Sequence, residues 1–400
     1  MSTIEVNKIT PVSGGTATTL GDSGDTFTVT SGATFNASSS NLANRPSAGP
    51  IFYNGDMQVS QRATTKTGIT GSGYYTVDRM KVVGDIGTWT DTQETLTSGN
   101  AFNAGFKKAY RMDCTTANAS PSSGSAKIFT QYFEGQDLGM FKKGTSSAEK
   151  YTLAFWVKSN KTGTGQVNLV DNDNSRMCGA SYTISVANTW EHKVCNYAAD
   201  TTGSFGNDNG RSLKIEFWID SGSDFGSGTM PTAWETEANA DSNASGTLNL
   251  GDNTANDWAI TGVQLEVGEY SASTLPPYQF ETYGGNLARC QRYYYKAGKG
   301  ESPYTNFGNG WASSTTQAQI QIPFPTDMRT EPSLTSDDLQ LSDDATAATD
   351  LSSIAVNANT GSSQLGVVDA TVSSGLTQYR PYALRGSNNT ASYVAFSAEL

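Results

Sequence analysis

The sequence predicts an all-β protein in three parts: an extended N-terminal arm over residues 1–50, a β-sandwich over 51–283 with a connector at 284–296, and a smaller C-terminal β-domain over 297–400. Three observations predict it. Gly, Ser, Thr and Asn dominate a chain that is only 36% hydrophobic, yet seven Trp, 18 Tyr and 16 Phe supply large apolar areas, a mix that favours turns and short strands over helices. Runs that alternate apolar and polar residues recur between Gly, Asn and Asp turns. Finally, 400 residues exceed one small domain, since domains cluster near ~100–150 residues.

In the arm, residues 1–46, isolated Ile4, Val6, Ile9, Leu20, Phe27, Val29 and Phe35 are too sparse to bury a core within one chain. The stretch Gly21 to Asn36, GDSGDTFTVTSGATFN, alternates in short Gly-punctuated runs, as a thin shaft requires when identical chains share one apolar axis. A disordered tail is the alternative. The segment from Arg45 to Pro50 holds two prolines and a glycine, which preclude regular pairing, so it reads as a linker.

Strands are then expected at Ala126 to Phe133, Tyr151 to Lys158, Gln166 to Val170, Ala180 to Val186, Trp190 to Tyr197, Leu213 to Ile219 and Ala259 to Val267. The last of these carries Ile260, Val263, Leu265 and Val267 and ends at Gly268. Pro276 and Pro277 exclude a central strand, and Asn286 to Tyr295 fits either a short helix or the start of a strand. Beyond Lys296, Gln317 to Ile322, Leu351 to Val356, Gln364 to Val368 and Ser392 to Phe396 are further strands. The acidic run Asp337, Asp338, Asp343 and Asp344 reads as a solvated loop.

A net charge of −12 argues against a nucleic-acid partner, which needs clustered positive charge. The first ten residues lack a signal peptide's apolar core and no run approaches the ~18 apolar residues of a membrane span, so synthesis in the cytoplasm without membrane insertion is expected. Cys114, Cys178, Cys195 and Cys290 show no metal-type spacing and read as buried thiols, with a Cys178–Cys195 bridge as the alternative.

Nucleophilic catalysis needs a base, and the one histidine, His192, falls in a strand beside Trp190 and Val194, where a packing role is expected. Carboxylates such as Glu134, Asp137, Glu216 and Asp220 have the chemistry of a glycosidase pair without distinctive placement. The run from Asp171 imitates a calcium loop but has Arg176 and Tyr182 where glycine and glutamate are needed. Sugar binding needs flat aromatic faces with amides and carboxylates around them. Tyr74, Tyr75, Trp89 and Trp234 lie in Gly-, Thr- or otherwise polar-rich stretches and are the candidate ligand-binding rings, with a core role as the alternative for each. Trp156, Trp190, Trp218 and Trp258 are expected in the core.

One string is more specific than composition: ITGVQLEVG within Trp258 to Val267 and beyond, followed by CQRYYYK ending at Lys296. With FYNGDMQVSQRATTK (Phe52 to Lys66), GYYTVDRMK (Gly73 to Lys81), YTLAFWVKSNKTG (Tyr151 to Gly163), NTWEHKVCNYAADTTG (Asn188 to Gly203) and IEFWID (Ile215 to Asp220), it resembles the carbohydrate-binding-module-like jelly roll of bacteriophage tail fibre and other virion fibre proteins, over roughly residues 50–296. The chain departs from that pattern at Met80, where such proteins usually have tryptophan.

The resemblance implies a jelly roll in a non-enzymatic virion protein. It further implies a homotrimer that docks to other virion proteins through residues 1–46 and contacts a host-surface glycan. A head fibre or decoration protein, and a polysaccharide depolymerase, are the alternatives. No cofactor is expected beyond the structural calcium the resemblance implies near the terminal strands, with Asp56 and Asp257 as its carboxylates.

Overall fold

Alternation in the sequence becomes two facing antiparallel sheets in the computed structural model, which describes residues 49–298, 302–344, 348–357 and 359–400. The arm, its Gly21 to Asn36 stretch and any shaft they build lie outside these residues. Pro46–Leu400 forms one compact unit. One sheet has six strands in the spatial order Thr65–Ile69, Thr88–Thr95, Lys108–Thr116, Asp257–Val267, Tyr151–Ser159 and Glu191–Tyr197. The other has seven, in the order Glu235–Thr236, Arg176–Ile184, Gly163–Asp171, Arg211–Ser221, Ala126–Glu134, Lys81–Gly84 and Gly73–Tyr74. The all-β sandwich expected from the sequence is the architecture observed.

Asp257–Val267 shows how the sequence sets its own register. Trp258 and Ile260 face the core in one phase, and Val263 and Leu265 face it in the other. The phase changes because the pairing to Tyr151–Ser159 slips between Thr261 and Gln264. Gly262 sits at this bulge with φ of 60°, and a Cβ there would stand 2.5 Å from the Phe106 ring, so only glycine fits. At the same point the Val263 N–H donates to the Gly55 carbonyl at 3.0 Å, anchoring the Phe52–Lys66 segment.

Thr282 caps the helix Tyr283–Gln291 by accepting the Gly285 N–H, and Asn286 and Cys290 bury its inner face. The two possibilities open for this region are thus both realised in series, a helix and then the strand Tyr294–Ala297. That strand pairs with Tyr393–Ser397, which pairs in turn with Ser333–Asp337. The turn into the strand and the strand itself serve two cores: Tyr293, just before it, is fully buried with the sandwich, whereas Tyr295 within it stacks parallel to Phe396 in the C-terminal core. A final seven-stranded sheet runs Thr349–Asp350, Leu339–Ser342, Pro381–Gly386, Asn306–Ala312, Gln317–Pro323, Leu365–Thr371 and Ser353–Val356.

The chain's last residues return to the sandwich. Glu399 forms ion pairs with Arg79, which is fully buried, and with Arg62 at 3.1 Å. The Tyr74 hydroxyl donates to the Leu400 carbonyl, and Arg329 donates to the carbonyls of Ala398 and Glu399. The Arg79 guanidinium also lies 3.4 Å from the centre of the Tyr293 ring.

Three expectations need correction. Trp156 is only half-buried, because Leu153, Phe155 and Val157 take the inward phase and leave it on the outer face of the six-stranded sheet. Trp218 and Trp190 are buried, but in satellite clusters outside the sandwich core, where Phe225 covers Trp218. The acidic run is not one solvated loop: it flanks and enters strands, and Asp343 is buried against Arg380 at 3.0 Å, while Asp344 is exposed. All four cysteines are buried free thiols. No helix among the described residues is long and apolar enough to cross a membrane.

Burial pushes Asp56, Asp78 and Asp91 up to about 6. A carboxyl raised by folding binds more protons folded than unfolded, so its stabilising effect is complete below the unfolded value and is lost as pH rises through about 6. His192, held low by burial, acts oppositely, but as one group against three. The urea midpoint is therefore expected to fall between pH 5 and pH 7, with Asp91→Asn flattening the dependence; a midpoint that rises over this range contradicts it.

Candidate functional site

Of the four candidate rings, two are core. Trp89 is fully buried because Thr88–Thr95 turns Trp89, Asp91 and Gln93 inward, and its indole N–H donates to the Ile86 carbonyl at 2.7 Å. Trp234 is 8% exposed and donates to the Ala198 carbonyl at 2.8 Å. Neither offers a face to a ligand, which corrects the expectation. Tyr75 is half-buried with its hydroxyl on the Gly71 carbonyl. Tyr74 is half-buried between the cations of Arg62 and Lys81, at 5.2 and 5.5 Å from its ring centre. The four do not form a platform.

Asp56 and Asp257 are not brought together either. Gly55 binds the strand Asp257–Val267 at Val263, six residues from Asp257, which is roughly 20 Å along a strand. Asp56 accepts from the buried Asn286 amide, and Asp257 pairs with Arg111 at 2.9 Å. Among the described residues no group of three or more His, Cys, Asp or Glu side chains is placed to hold a metal ion.

The candidate carboxylates are held in structural contacts. Both Glu134 oxygens accept from Arg292 at 2.7 Å, with Tyr293 and Gln136 also donating. Although burial works the other way, these donors hold its carboxyl below the usual range. Asp137 accepts the Tyr53 hydroxyl, Glu216 pairs with Lys214, and Asp220 accepts the Gly251 N–H. Asp171 is fully buried on Lys143, which also reaches Asp200 at 3.1 Å, so the calcium-like loop is an ion-pair network.

What the sandwich does present is a ledge on the outer face of its six-stranded sheet. Trp156 is the register neighbour of both His192 and Thr261, and its ring centre lies 5.0 Å from the imidazole. Burial and the Lys193 charge hold His192 low, so it is neutral at pH 7. Beside them Lys158 lies 5.1 Å from the Trp190 ring centre, and Glu94 stands 3.7 Å from both Lys158 and Arg111. A half-open indole, a neutral imidazole and flanking charged groups can stack on C–H faces while bonding hydroxyls. The sequence signal for this ledge was the inward phase of Leu153, Phe155 and Val157, which sends Trp156 outward.

No family model matches the chain, and no curated protein does. Among solved structures, the chain is similar to the enzymatically active domain of bacteriophage CBA120 tailspike protein 4, at 14% identity and a TM-score of 0.28 over 55% of this chain. It spans only 21% of that domain's chain. It is also similar to the carbohydrate-binding module CBM4, at 10% identity and 0.26 over 54% of this chain and 97% of that one. A third is TmCBM61 in complex with β-1,4-galactotriose, at 10% and 0.25 over 55% and 99%.

Proposed function

We propose that this chain is a non-enzymatic virion fibre protein, homotrimeric, docked to the particle through residues 1–46 and contacting a host-surface glycan for adsorption. The observation that carries the reading is that Trp258–Lys296, the string bearing the fibre-family resemblance, is the keystone of the fold. It supplies an internal strand of the six-stranded sheet, the capped helix, and the strand that opens the second core. The Trp156–His192 ledge supports glycan contact by the sandwich, since its rings share a sheet face with polar neighbours.

The full chain, applied to a printed array of bacterial lipopolysaccharide O-chains and capsular oligosaccharides, is expected to retain at least one saccharide class without releasing reducing ends. Release of reducing ends would make it a depolymerase, and binding to none would leave a decoration protein.

A further inference from the structure

We infer a saccharide-binding site on the C-terminal module, on the outer face of its seven-stranded sheet, built around Trp311 and Tyr379; this rests on the glycan-contacting reading above. In Asn306–Ala312 the register slips between Asn306 and Gly308, after which Gly308, Gly310 and Ala312 face the core and Asn309 and Trp311 face outward. The inward glycines are required, since a Cβ on Gly310 would stand 1.7 Å from the Gln319 carbonyl oxygen. Trp311 is 41% exposed, and its register neighbours are Gln319 on one side and Pro381 on the other. Asn309 pairs in register with Gln321.

Two further observations point to a ligand. Among the described residues the side-chain amides of Gln319 and Gln321 have no hydrogen-bond partner, so donors and acceptors stand open beside the indole. Tyr379, whose N–H donates to the carbonyl of Ala312 next to Trp311, is 77% exposed and held at φ of 67°, a backbone conformation bulky residues rarely adopt. A shallow cavity of about 600 Å³, lined in part by Asn309, Gln321, Pro323 and Leu365, continues from the same face.

The chemistry selects the occupant. The apolar surface is a pair of rings and not a broad patch, which disfavours a protein partner. Of the nearby charges Arg385 is paired with Asp344, and Asp369, the register neighbour of Gln319, accepts from the uncharged Asn357 amide, so the face offers open amides beside one carboxylate, which disfavours an acidic ligand. Flat rings flanked by neutral amides complement the C–H faces and hydroxyls of a neutral saccharide.

The test uses the full chain on the O-chain and capsular array, followed by titration of the strongest saccharide with intrinsic fluorescence. Trp311→Ala is expected to weaken binding at least tenfold, and Tyr379→Ala and Gln319→Ala several-fold, with unchanged melting temperatures. The ligand-induced emission change should vanish in both Trp311→Ala and Trp311→Phe, whereas Trp311→Phe, which keeps a flat ring, should still be retained by the saccharide on the array. Should Trp311→Ala fail to fold, Gln319→Ala and Tyr379→Ala, which keep the indole, decide by titration of its emission. Wild-type binding that all these variants keep within twofold overturns this site and leaves the glycan-contacting reading standing, whereas a wild type that binds nothing overturns both. Dissociation of an oligomer by Trp311→Ala would make the face an interface between copies and overturn the site.

Discussion

Replacing Glu399 by alanine is expected to destabilise the folded unit by ~3–5 kcal/mol, the cost of leaving a buried charge without its partner. Arg79 has no solvent to fall back on: its side chain is fully buried, and its remaining contacts are the Tyr132 carbonyl at 2.7 Å and the faces of Tyr293 and Tyr53. Arg62 loses less, because it is partly exposed and keeps its approach to Asp78. The double variant Arg79→Met with Glu399→Met should recover most of the loss, since the pair is replaced by apolar groups and neither charge is stranded. Urea unfolding of the three proteins reads this directly. A loss under ~1 kcal/mol for Glu399→Ala would mean that the carboxylate does not compensate Arg79 in solution.

Trp258→Ala is expected to cost ~3–5 kcal/mol by leaving a cavity between the sheets. The ring is fully buried, with Phe129 and Phe217 at 5.4 and 6.0 Å between centres, each fixed on the opposite sheet and unable to close the gap without leaving its register. Trp156→Ala, on the half-open ledge, should cost clearly less, because water can fill the space. Parallel urea titrations check the ordering; equal losses would put Trp156 inside the core and remove the ledge.

The contrast between these tryptophans shows where sequence reading reaches its limit. Alternation assigns residues of a strand to two faces and located the strands around Tyr151–Ser159, Arg211–Ser221 and Asp257–Val267 well. It does not say which face is core when both carry aromatics, as around Trp156, or when the inward companions are polar, as Asp91 and Gln93 are for Trp89, so Trp89 was open to a surface role and Trp156 to a core role, and each lies on the other side. Trp234 lies outside any strand, so no period bears on it. The slip at Gly262 was visible as the three-residue step from Ile260 to Val263. The Arg79–Glu399 pair joins positions 320 residues apart, and no local pattern announces such a contact. Trp311 was legible in principle, since small residues at 308, 310 and 312 leave the large ring to the opposite face.

The three-stranded sheet joining the two cores also constrains the order in which the protein can form. Its central strand is Tyr393–Ser397, and the two strands it separates, Tyr294–Ala297 and Ser333–Asp337, hydrogen-bond to it and not to each other. During synthesis both flanking strands leave the ribosome first and must wait with open edges, while the sandwich has every strand it needs by Val267. Folding is therefore sequential: the first core closes early through contacts already available, and the second is completed only by the last strand made. A truncated product would carry a sandwich whose buried Arg79 lacks Glu399, joined to unpaired edges of the kind that recruit other chains into aggregates.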